Sequence, residues 1–337
     1  MTAPLIEVRN LRKTFDVTQG ILIRRVIEIF TAVDDVSFDI HNGETLGCVG
    51  GSGSGKSTLG RLIMRLLEPD GGEVRFEGQP ITGLSAQQMR PFRQKMQIVF
   101  QDPLQCLNPR RTVIENVERP LLNFGVSRSD ARARVAEVLS LVGINPRHAN
   151  RYPHEYSGGQ CQRIAIARAL TLEPRFLFLD EPVSALDVSI QAQILNLLRD
   201  LQQKLELTYL FVSHDLKLVK QFCDRAVVMY RGRLLEIGDS VEIYRERRTW
   251  RKAPRTSFSS TPTGMSASTP TPAPSVSSPA PGAPRAWPGR AMAGRSPATC
   301  IQRTNNQKAK RKRPAEARTN FNGGTPCLSR LCQGYPG

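Results

Sequence analysis

One stretch of the sequence decides the fold: Gly50-Gly51-Ser52-Gly53-Ser54-Gly55-Lys56-Ser57-Thr58. An apolar segment, Thr45–Val49, precedes it, and apolar residues at helical spacing follow it at Leu59, Leu62, Ile63 and Leu66. The pattern predicts a buried strand, a glycine-rich loop and a helix in succession. This order is the context that a phosphate-binding P-loop requires, and it argues against the alternative of a chance glycine-rich turn.

The residue types of this stretch have the chemistry of a nucleotide site. Glycines let the backbone turn so that consecutive N–H groups point at phosphate oxygens, and the positive end of the following helix adds to the attraction. We expect Lys56 to reach the β- and γ-phosphates and the Ser57 hydroxyl to ligate Mg²⁺. The whole stretch from Gly50 to Thr58 is therefore predicted to bind a nucleotide.

A candidate acidic pair follows a continuous apolar run. Phe176-Leu177-Phe178-Leu179 has the pattern of a parallel strand buried on both faces, and Asp180 and Glu181 come directly after it. Open α/β sheets bind ligands at the carboxyl ends of their strands, so both acids are expected beside the P-loop. Asp180 is predicted to hold Mg²⁺, and Glu181 to polarise the water that attacks the γ-phosphate. A strand followed by a solvated turn is the alternative for such a run taken alone.

Further motifs resemble those of the ATP-binding cassette (ABC) ATPases, in the order which that family shares. Tyr156-Ser157-Gly158-Gly159-Gln160 resembles the family signature, and Ser184-Ala185-Leu186-Asp187 resembles the D-loop. Gln101 resembles the Q-loop glutamine and His214 the switch histidine, while Phe15 stands where the family places an aromatic ring against adenine. The motifs define a cassette domain over residues 5–246.

The resemblance implies a fold and a set of ligands. The fold is α/β: a P-loop NTPase cassette with an antiparallel β subdomain, a central parallel-sheet core and a helical subdomain at about residues 102–156. ATP and Mg²⁺ are the implied ligands. Ser57, Gln101 and Asp180 would lie at the metal, and the implied catalytic residues are Glu181, His214 and Gln101.

The resemblance also implies a dimer mechanism. The signature residues Ser157, Gly158, Gly159 and Gln160 would contact ATP bound to a partner cassette, and the D-loop would supply Ser184 and Asp187. A hydroxyl and backbone N–H groups at a helix N-terminus suit an anion, which gives this arrangement a physical basis. ATP would hold two cassettes together, and hydrolysis would release them.

Longer segments resemble the oligopeptide and dipeptide importer ATPases: Val99–Pro103, Leu107–Arg110, Arg151–Glu155 and Glu181–Ser189. That subfamily implies peptide import powered by ATP hydrolysis, with a homologous ATPase subunit (in a hetero- or homodimer) and two permease chains as partners. A substrate-binding protein would take part indirectly, and no nucleic acid is expected. The alternatives are an importer of nickel or another small solute and, less favoured, a non-transport ABC ATPase acting on nucleic acid.

Two residues at the signature depart from the family pattern. Tyr156 replaces the usual leucine, and Cys161 stands where a basic residue is common. Neither change removes a group that would donate a hydrogen bond to phosphate. We therefore expect ATPase activity to survive, and the affinity for a partner subunit to be the property affected.

Charge divides the chain near residue 248. The net charge is +17, yet residues 1–248 hold 33 basic and 29 acidic side chains, and residues 249–337 hold 14 basic and one acidic. The basic excess belongs to the C-terminal tail, which removes the main argument for nucleic-acid binding by the cassette. Residues 247–337 are rich in proline and poor in apolar side chains, so a disordered low-complexity tail is predicted. An out-of-frame translation of this segment is the alternative.

Several other classes of protein are excluded by composition. No apolar run approaches the roughly 18–20 residues that span a bilayer, and the N-terminus lacks the pattern of a secretory signal. The seven cysteines form no C-x-x-C pair, which favours reduced thiols over a disulfide framework. We therefore expect a cytoplasmic protein, and the resemblance to importer ATPases implies that it is peripheral on the inner face of the cell membrane.

Overall fold

The computed structural model describes residues 3–19 and 25–246, and it divides them between two sheets and a group of helices. Within these residues the strands are β1 Ile6–Gln19, β2 Arg25–Ile40, β3 Thr45–Gly50, β4 Gly71–Phe76, β5 Gln79–Pro80, β6 Met96–Val99, β7 Phe176–Asp180, β8 Thr208–Ser213, β9 Arg225–Tyr230 and β10 Arg233–Asp239. The α-helices are α1 Lys56–Ile63, α2 Arg90–Lys95, α3 Pro103–Cys106, α4 Val113–Asn123, α5 Arg128–Leu141, α6 Gly158–Leu170, α7 Val188–Leu205, α8 Leu216–Phe222 and α9 Ser240–Glu246.

The P-loop strand lies inside a six-stranded sheet of order β10-β9-β3-β8-β7-β6. The strands from β9 to β6 are parallel, and β10 alone pairs antiparallel, with β9. The carboxyl ends of β3, β7 and β8 therefore meet at one edge, where the loops after them carry the candidate site residues.

Side chains of the central strands alternate between two hydrophobic cores. On one face, Leu46, Phe178, Leu210 and others pack with α1 and with β1, β2 and β4. On the other face, Val49, Leu179, Phe211 and others pack with helices α4 to α8. All five residues of β7 are buried, as the continuous apolar run predicts for a strand covered on both sides.

The antiparallel sheet has the order β2-β1-β4-β5 and is built on a long β1–β2 hairpin. Its pairing runs from Ile6 opposite Ile40 to Gln19 opposite Arg25, with four register shifts along the way. The end of the hairpin near the core is buried through Val8, Val36 and Phe38, whereas residues 28–30 are exposed. The hairpin therefore extends beyond the core that anchors it.

Helices α3, α4 and α5 occupy the stretch predicted to be helical. Helix α4 begins with a capping box, in which the Thr112 hydroxyl accepts from the Glu115 backbone N–H and Glu115 accepts from the Thr112 N–H. The apolar face of α5, with Val135, Val138 and Leu139, is buried.

The predicted fold class is confirmed: an α/β cassette with an antiparallel sheet, a parallel core sheet and a helical region. The domain limits, 5–246 for the cassette and about 102–156 for the helical subdomain, stay proposals. The predicted tail, 247–337, lies outside the described residues.

Candidate functional site

The P-loop connects β3 to α1 and is held by close backbone contacts. Gly53 and Gly55 have positive φ values of +74° and +100°, which glycine adopts without the strain that a side chain would add. A Cβ atom at Gly55 would lie 2.1 Å from the carbonyl oxygen of Ala32 in β2, and one at Gly50 would lie 2.4 Å from the Met229 carbonyl oxygen. Both positions therefore require glycine, because neighbouring backbone atoms leave no room for a side chain.

Lys56 is the first residue of α1, and its side chain lies along the loop. Its ammonium group donates to the carbonyl oxygens of Gly50 at 3.0 Å and Gly51 at 2.9 Å. The side chain is buried, so the loop itself orients the ammonium group. A positive charge fixed between the turns of a glycine-rich loop can bind a phosphate oxygen as a point charge.

Ser57 and Asp180 come together from elements 123 residues apart in sequence. The Ser57 hydroxyl donates to Oδ1 of Asp180 at 2.8 Å. Burial raises the pKa of the Asp180 carboxyl above its ordinary value, while the hydrogen bond from Ser57 and the positive charge of Arg61 act in the opposite direction. A hydroxyl and a carboxylate oxygen side by side are hard oxygen donors, the set that Mg²⁺ prefers.

Glu181 and His214 follow β7 and β8, which are neighbours in the sheet. Nδ1 of His214 lies 3.1 Å from Oε2 of Glu181. Glu181 has a positive φ of +46°, and its N–H donates to the carbonyl oxygen of Val212 in β8 at 3.1 Å. This left-handed conformation turns the chain at the end of β7 and brings the carboxylate to the histidine.

Half of the predicted site residues line one open cavity of about 450 Å³. Gln101 reaches it from the loop that follows β6, and Glu181 and His214 close it opposite the P-loop. The lining residues are Ser52, Gly53, Ser54, Gly55, Lys56, Ser57, Thr58, Gln101, Glu181 and His214. The structure thus brings the candidate phosphate-binding and catalytic residues together.

Phe15, the predicted adenine contact, lies on β1 and is not among the residues that line this cavity. Its ring is partly exposed, and the Lys13 ammonium group lies 5.6 Å from the ring centroid. Lys13 in turn donates to Oδ1 of Asp70 at 2.7 Å. The ring is therefore held at one side by a cation and presents its remaining area to solvent.

The signature residues also lie apart from the cavity, at the start of α6. Ser157 is the N-cap: its hydroxyl oxygen accepts from the Gln160 N–H at 3.3 Å, and Gln160 Oε1 accepts from the Ser157 N–H at 3.0 Å. Helix α6 starts directly after Ser157, at Gly158, because this capping box closes its first turn. Ser157, Gly158 and Gln160 are exposed, so the positive N-terminus of α6 faces outward.

The two residues that depart from the family pattern, Tyr156 and Cys161, both contact the backbone of the segment before the signature. The Tyr156 hydroxyl donates to the carbonyl oxygen of His148 at 2.7 Å. Cys161 is buried, with its sulfur 3.3 Å from the Pro153 carbonyl oxygen. Both side chains therefore tie the signature to the segment that precedes it.

The candidate D-loop begins three residues after Glu181. The Ser184 hydroxyl donates to the carbonyl oxygen of Glu181 at 3.1 Å, and Asp187 is the N-cap residue of α7. Val188, the next residue, is 82% exposed, an unusual degree for an apolar side chain. The loop thus supports the backbone of Glu181 from one side and presents an apolar residue to solvent on the other.

Sequence reasoning did not single out Arg61. It lies one turn after Ser57 in α1, and its charge acts on the Asp180 carboxyl. The spacing of four residues between Ser57 and Arg61 could have indicated this role, because residues four apart lie on the same face of a helix.

Comparison with known proteins gives a consistent result. The sequence profile of the family described as ABC transporter matches residues 33–184. The chain is 49% identical over 247 residues to the oligopeptide transport ATP-binding protein OppF of Bacillus subtilis (strain 168), covering 72% of this chain and 78% of OppF. It is 48% identical over 242 residues to the oligopeptide transport ATP-binding protein AppF of Bacillus subtilis (strain 168), covering 71% of this chain and 73% of AppF.

Among solved structures, the chain is similar to the ATP-binding cassette MJ0796, determined as a dimer in a post-hydrolysis state bound to ADP and Pi. The TM-score is 0.62 at 33% identity, covering 70% of this chain and 98% of that one. Within the described part of the chain, no helix has both the length and the apolar character of a membrane span. With its P-loop, acidic pair and signature helix in one cassette fold, and with relatives of this similarity, the chain belongs to the ABC transporter family of ATP-binding proteins.

Proposed function

We propose that this chain is the ATP-hydrolysing subunit of an ABC importer of peptides. One observation carries the proposal: a P-loop, Gln101, Glu181 and His214 surround one cavity, with Asp180 hydrogen-bonded to Ser57 at its edge. These are the groups that phosphoryl transfer to water needs, namely donors for the phosphates, oxygen ligands for a cation and a carboxylate for the attacking water.

The P-loop residues are proposed to bind the triphosphate. Backbone N–H groups from Gly50 to Thr58 and the Lys56 ammonium group would contact the phosphate oxygens, aided by the positive end of α1. Ser57, Asp180 and Gln101 would hold Mg²⁺, and their oxygen atoms fit that ion. When bound, Mg²⁺ would neutralise charge that builds up on the β- and γ-phosphate oxygens.

Glu181 is proposed as the residue that polarises the attacking water. Its carboxylate would accept a hydrogen bond from the water, whose oxygen bonds to the γ-phosphorus as the bond to the β-phosphate oxygen breaks, giving ADP and phosphate. His214, 3.1 Å away, would hold Glu181 in place and contact the γ-phosphate. Gln101 would connect the metal site with the helical region that follows it.

A second cassette is proposed to complete the site. The exposed N-terminus of α6, at Ser157, Gly158 and Gln160, lies outside the cavity formed by this chain's own P-loop, so it is available to contact ATP held by a partner. Ser184 and Asp187 would lie near the same interface, because Ser184 is bonded to the backbone of Glu181. The dimeric state of MJ0796 with ADP and Pi supports this arrangement.

Peptides are the proposed cargo because OppF and AppF are both named for oligopeptide transport. These names favour peptides over nickel and over nucleic acid. The partners would be a homologous or identical ATPase subunit, two permease chains and, indirectly, a substrate-binding protein. The chain would then sit in the cytoplasm, peripheral on the inner face of the cell membrane.

Reconstitution tests the proposal. The full chain, its partner ATPase, the permeases and the binding protein encoded beside it would be placed in proteoliposomes, with phosphate release measured as peptides or Ni²⁺ are added. We expect hydrolysis to rise with a peptide and not with Ni²⁺, and to vanish with Glu181→Gln in both ATPase subunits. Stimulation by Ni²⁺ alone would move the assignment to metal import.

A further inference from the structure

Two overlapping backbone turns connect Glu181 to the D-loop. The Glu181 carbonyl oxygen accepts from the Ser184 N–H at 3.2 Å and from the Ser184 hydroxyl at 3.1 Å. The Val183 carbonyl oxygen accepts from the Leu186 N–H at 3.2 Å. Because the second turn starts inside the first, a displacement of Leu186 is passed back to the backbone of Glu181.

A side chain near the start of α7 holds the far end of these turns. Nε2 of Gln191 donates to the carbonyl oxygen of Leu186 at 2.9 Å. Asp187, the N-cap residue of α7, makes no capping hydrogen bond with its side chain. An N-cap side chain normally fixes the entry of the chain into a helix. At this helix Gln191 supplies a side-chain bond between the D-loop and α7 in its place.

The N-terminus of α6 packs on the same junction. A Cβ added at Gly159 would lie 2.6 Å from Cγ2 of Ile190, and one at Gly158 would lie 3.6 Å from Cδ2 of Leu186. Apolar contact with α6 therefore restrains the side chain of Leu186, while Gln191 holds its carbonyl oxygen.

A small cavity of about 60 Å³ adjoins the turns, and Glu181, Ser184, Gln191 and His214 are among the residues that line it. A site of about 10–15 Å³ is already enough for one water molecule. A loop beside such a space has fewer packing contacts than a loop in a filled core. Hydrogen bonds therefore take a larger share in fixing the position of this loop.

We propose that Gln191 is a positioning residue for ATP hydrolysis. By holding the Leu186 carbonyl oxygen, it keeps the two turns in the conformation in which the Glu181 carboxylate is aimed at the attacking water. Ser184 passes this restraint to the backbone of Glu181. The proposal rests on the proposed ATPase function and adds to it a residue that lies beyond the D-loop motif.

The experiment measures phosphate release against Mg–ATP concentration for the full chain with its partner ATPase subunit. The variants are Gln191→Leu and Gln191→Glu, which keep the approximate size of the side chain and remove the N–H donor. We expect kcat to fall about tenfold or more in both, since a misplacement of about 1 Å can cost about 10²-fold in rate. KM should stay within about twofold of wild type, because the phosphate-binding residues are unchanged.

Gln203→Ala is the matched control. Gln203 is an exposed glutamine near the end of the same helix. This variant should hydrolyse ATP at the wild-type rate, which shows that loss of a glutamine from α7 is not in itself harmful.

A second readout separates positioning of Glu181 from a general loss of structure. In a Glu181→Gln background, Gln191→Leu should cause no further loss in the single-turnover rate, because residues that act as a unit are not additive. The dimer that forms with ATP should be as abundant in this double variant as in Glu181→Gln alone.

Two results would overturn the inference. One is an unchanged kcat in both Gln191→Leu and Gln191→Glu, which would leave the bond to Leu186 as local support of α7 only. The other is a rate loss that multiplies with that of Glu181→Gln, or a loss of the dimer, since Gln191 would then act elsewhere than at Glu181. If the wild-type subunits hydrolysed no ATP, the proposed ATPase function would fail instead, so the two failures are distinguishable.

Discussion

Nδ1 of His214 lies 3.1 Å from Oε2 of Glu181, and the two residues end neighbouring parallel strands. The carboxylate is mostly buried, while the imidazole is mostly exposed to the cavity. A buried carboxylate with one neighbour at its oxygen has little freedom to rotate. The pair is therefore suited to hold one oxygen of Glu181 on the histidine and to direct the other at a water.

Glu181→Gln should abolish turnover without abolishing ATP binding. The amide keeps the shape of the side chain but loses the basic oxygen, and removal of a general base of this kind costs about 10²- to 10⁴-fold in rate. Phosphate release measures the rate, and size-exclusion chromatography with ATP should show a trapped dimer. Normal turnover by the variant would rule out Glu181 as the polarising residue.

His214→Ala should slow hydrolysis through the same carboxylate. If the histidine acts by positioning Glu181, the double variant with Glu181→Gln should be no slower than Glu181→Gln alone, because residues that work as a unit are not additive. Single-turnover phosphate release gives the rates of the wild type, the two single variants and the double variant. The ratio of these four rates gives the coupling between His214 and Glu181. Rate losses that multiply would show that His214 acts independently of Glu181.

Lys56→Ala should reduce nucleotide binding below detection. The ammonium group is held by two loop carbonyls and is the charge available to the phosphates inside the loop. Titration with Mg–ATP is the measurement, and thermal unfolding should show that the fold survives. Lys204→Ala, at an exposed position near the end of α7, is the charge-matched control and should bind normally.

Gly60→Ala should destabilise the protein even though alanine is the better helix former. A Cβ at Gly60 in α1 would lie 2.0 Å from Cζ of Phe178 in β7, inside the core. Overpacking costs about 1–3 kcal/mol, against a gain of about 1 kcal/mol in helix propensity. Chemical denaturation should show a net loss of stability.

Phe178, the residue that an added Cβ at Gly60 would meet, provides the control for Gly60→Ala. Phe178→Leu makes room beside α1, so the double variant should be more stable than the sum of the two single losses predicts. Strict additivity of the two free-energy changes would mean that Phe178 is not what opposes the added methyl group.

Acid should weaken the link between β1 and the turn after α1. Hydrogen bonds from Lys13 and Thr14 lower the pKa of Asp70 to about 2. Because the folded-state pKa lies below the unfolded value, the carboxylate contributes stability above about pH 4, and this contribution is lost as the pH falls towards 2. The group is exposed, so the effect should stay below about 1 kcal/mol.

Thermal unfolding of wild type and Asp70→Asn from pH 6 to pH 2 measures that contribution. The difference in Tm between the two proteins should be constant near neutral pH and should shrink below pH 4. A difference that grew on acidification would mean that the carboxylate is not stabilised in its charged form.

The sequence was sufficient for features that depend on local pattern. The run Phe176–Leu179 indicated a strand buried on both faces, and the glycine-rich stretch indicated a strand, a loop and a helix, because periodicity and turn chemistry act over a few residues. The meeting of Ser57 with Asp180 followed from the rule that parallel strands end at one edge.

Features that depend on contacts between residues far apart in sequence could not be predicted from local sequence patterns. The pairing of Phe15 with Phe30 depends on register shifts in the β1–β2 hairpin, which no local propensity specifies. The contact of Gly60 with Phe178 joins two elements through the core. The left-handed conformation of Glu181 arises from its bond to Val212 in the next strand, so it too could be seen only in three dimensions.

The alternation of the central strands between two cores has a consequence for how the cassette melts. In β7 and β8, each apolar residue that packs on one core is followed by one that packs on the other. Neither core can loosen without distorting strands that the other needs. The described cassette should therefore unfold in one cooperative step, with equal calorimetric and van't Hoff enthalpies, and not as separate sheet and helical layers.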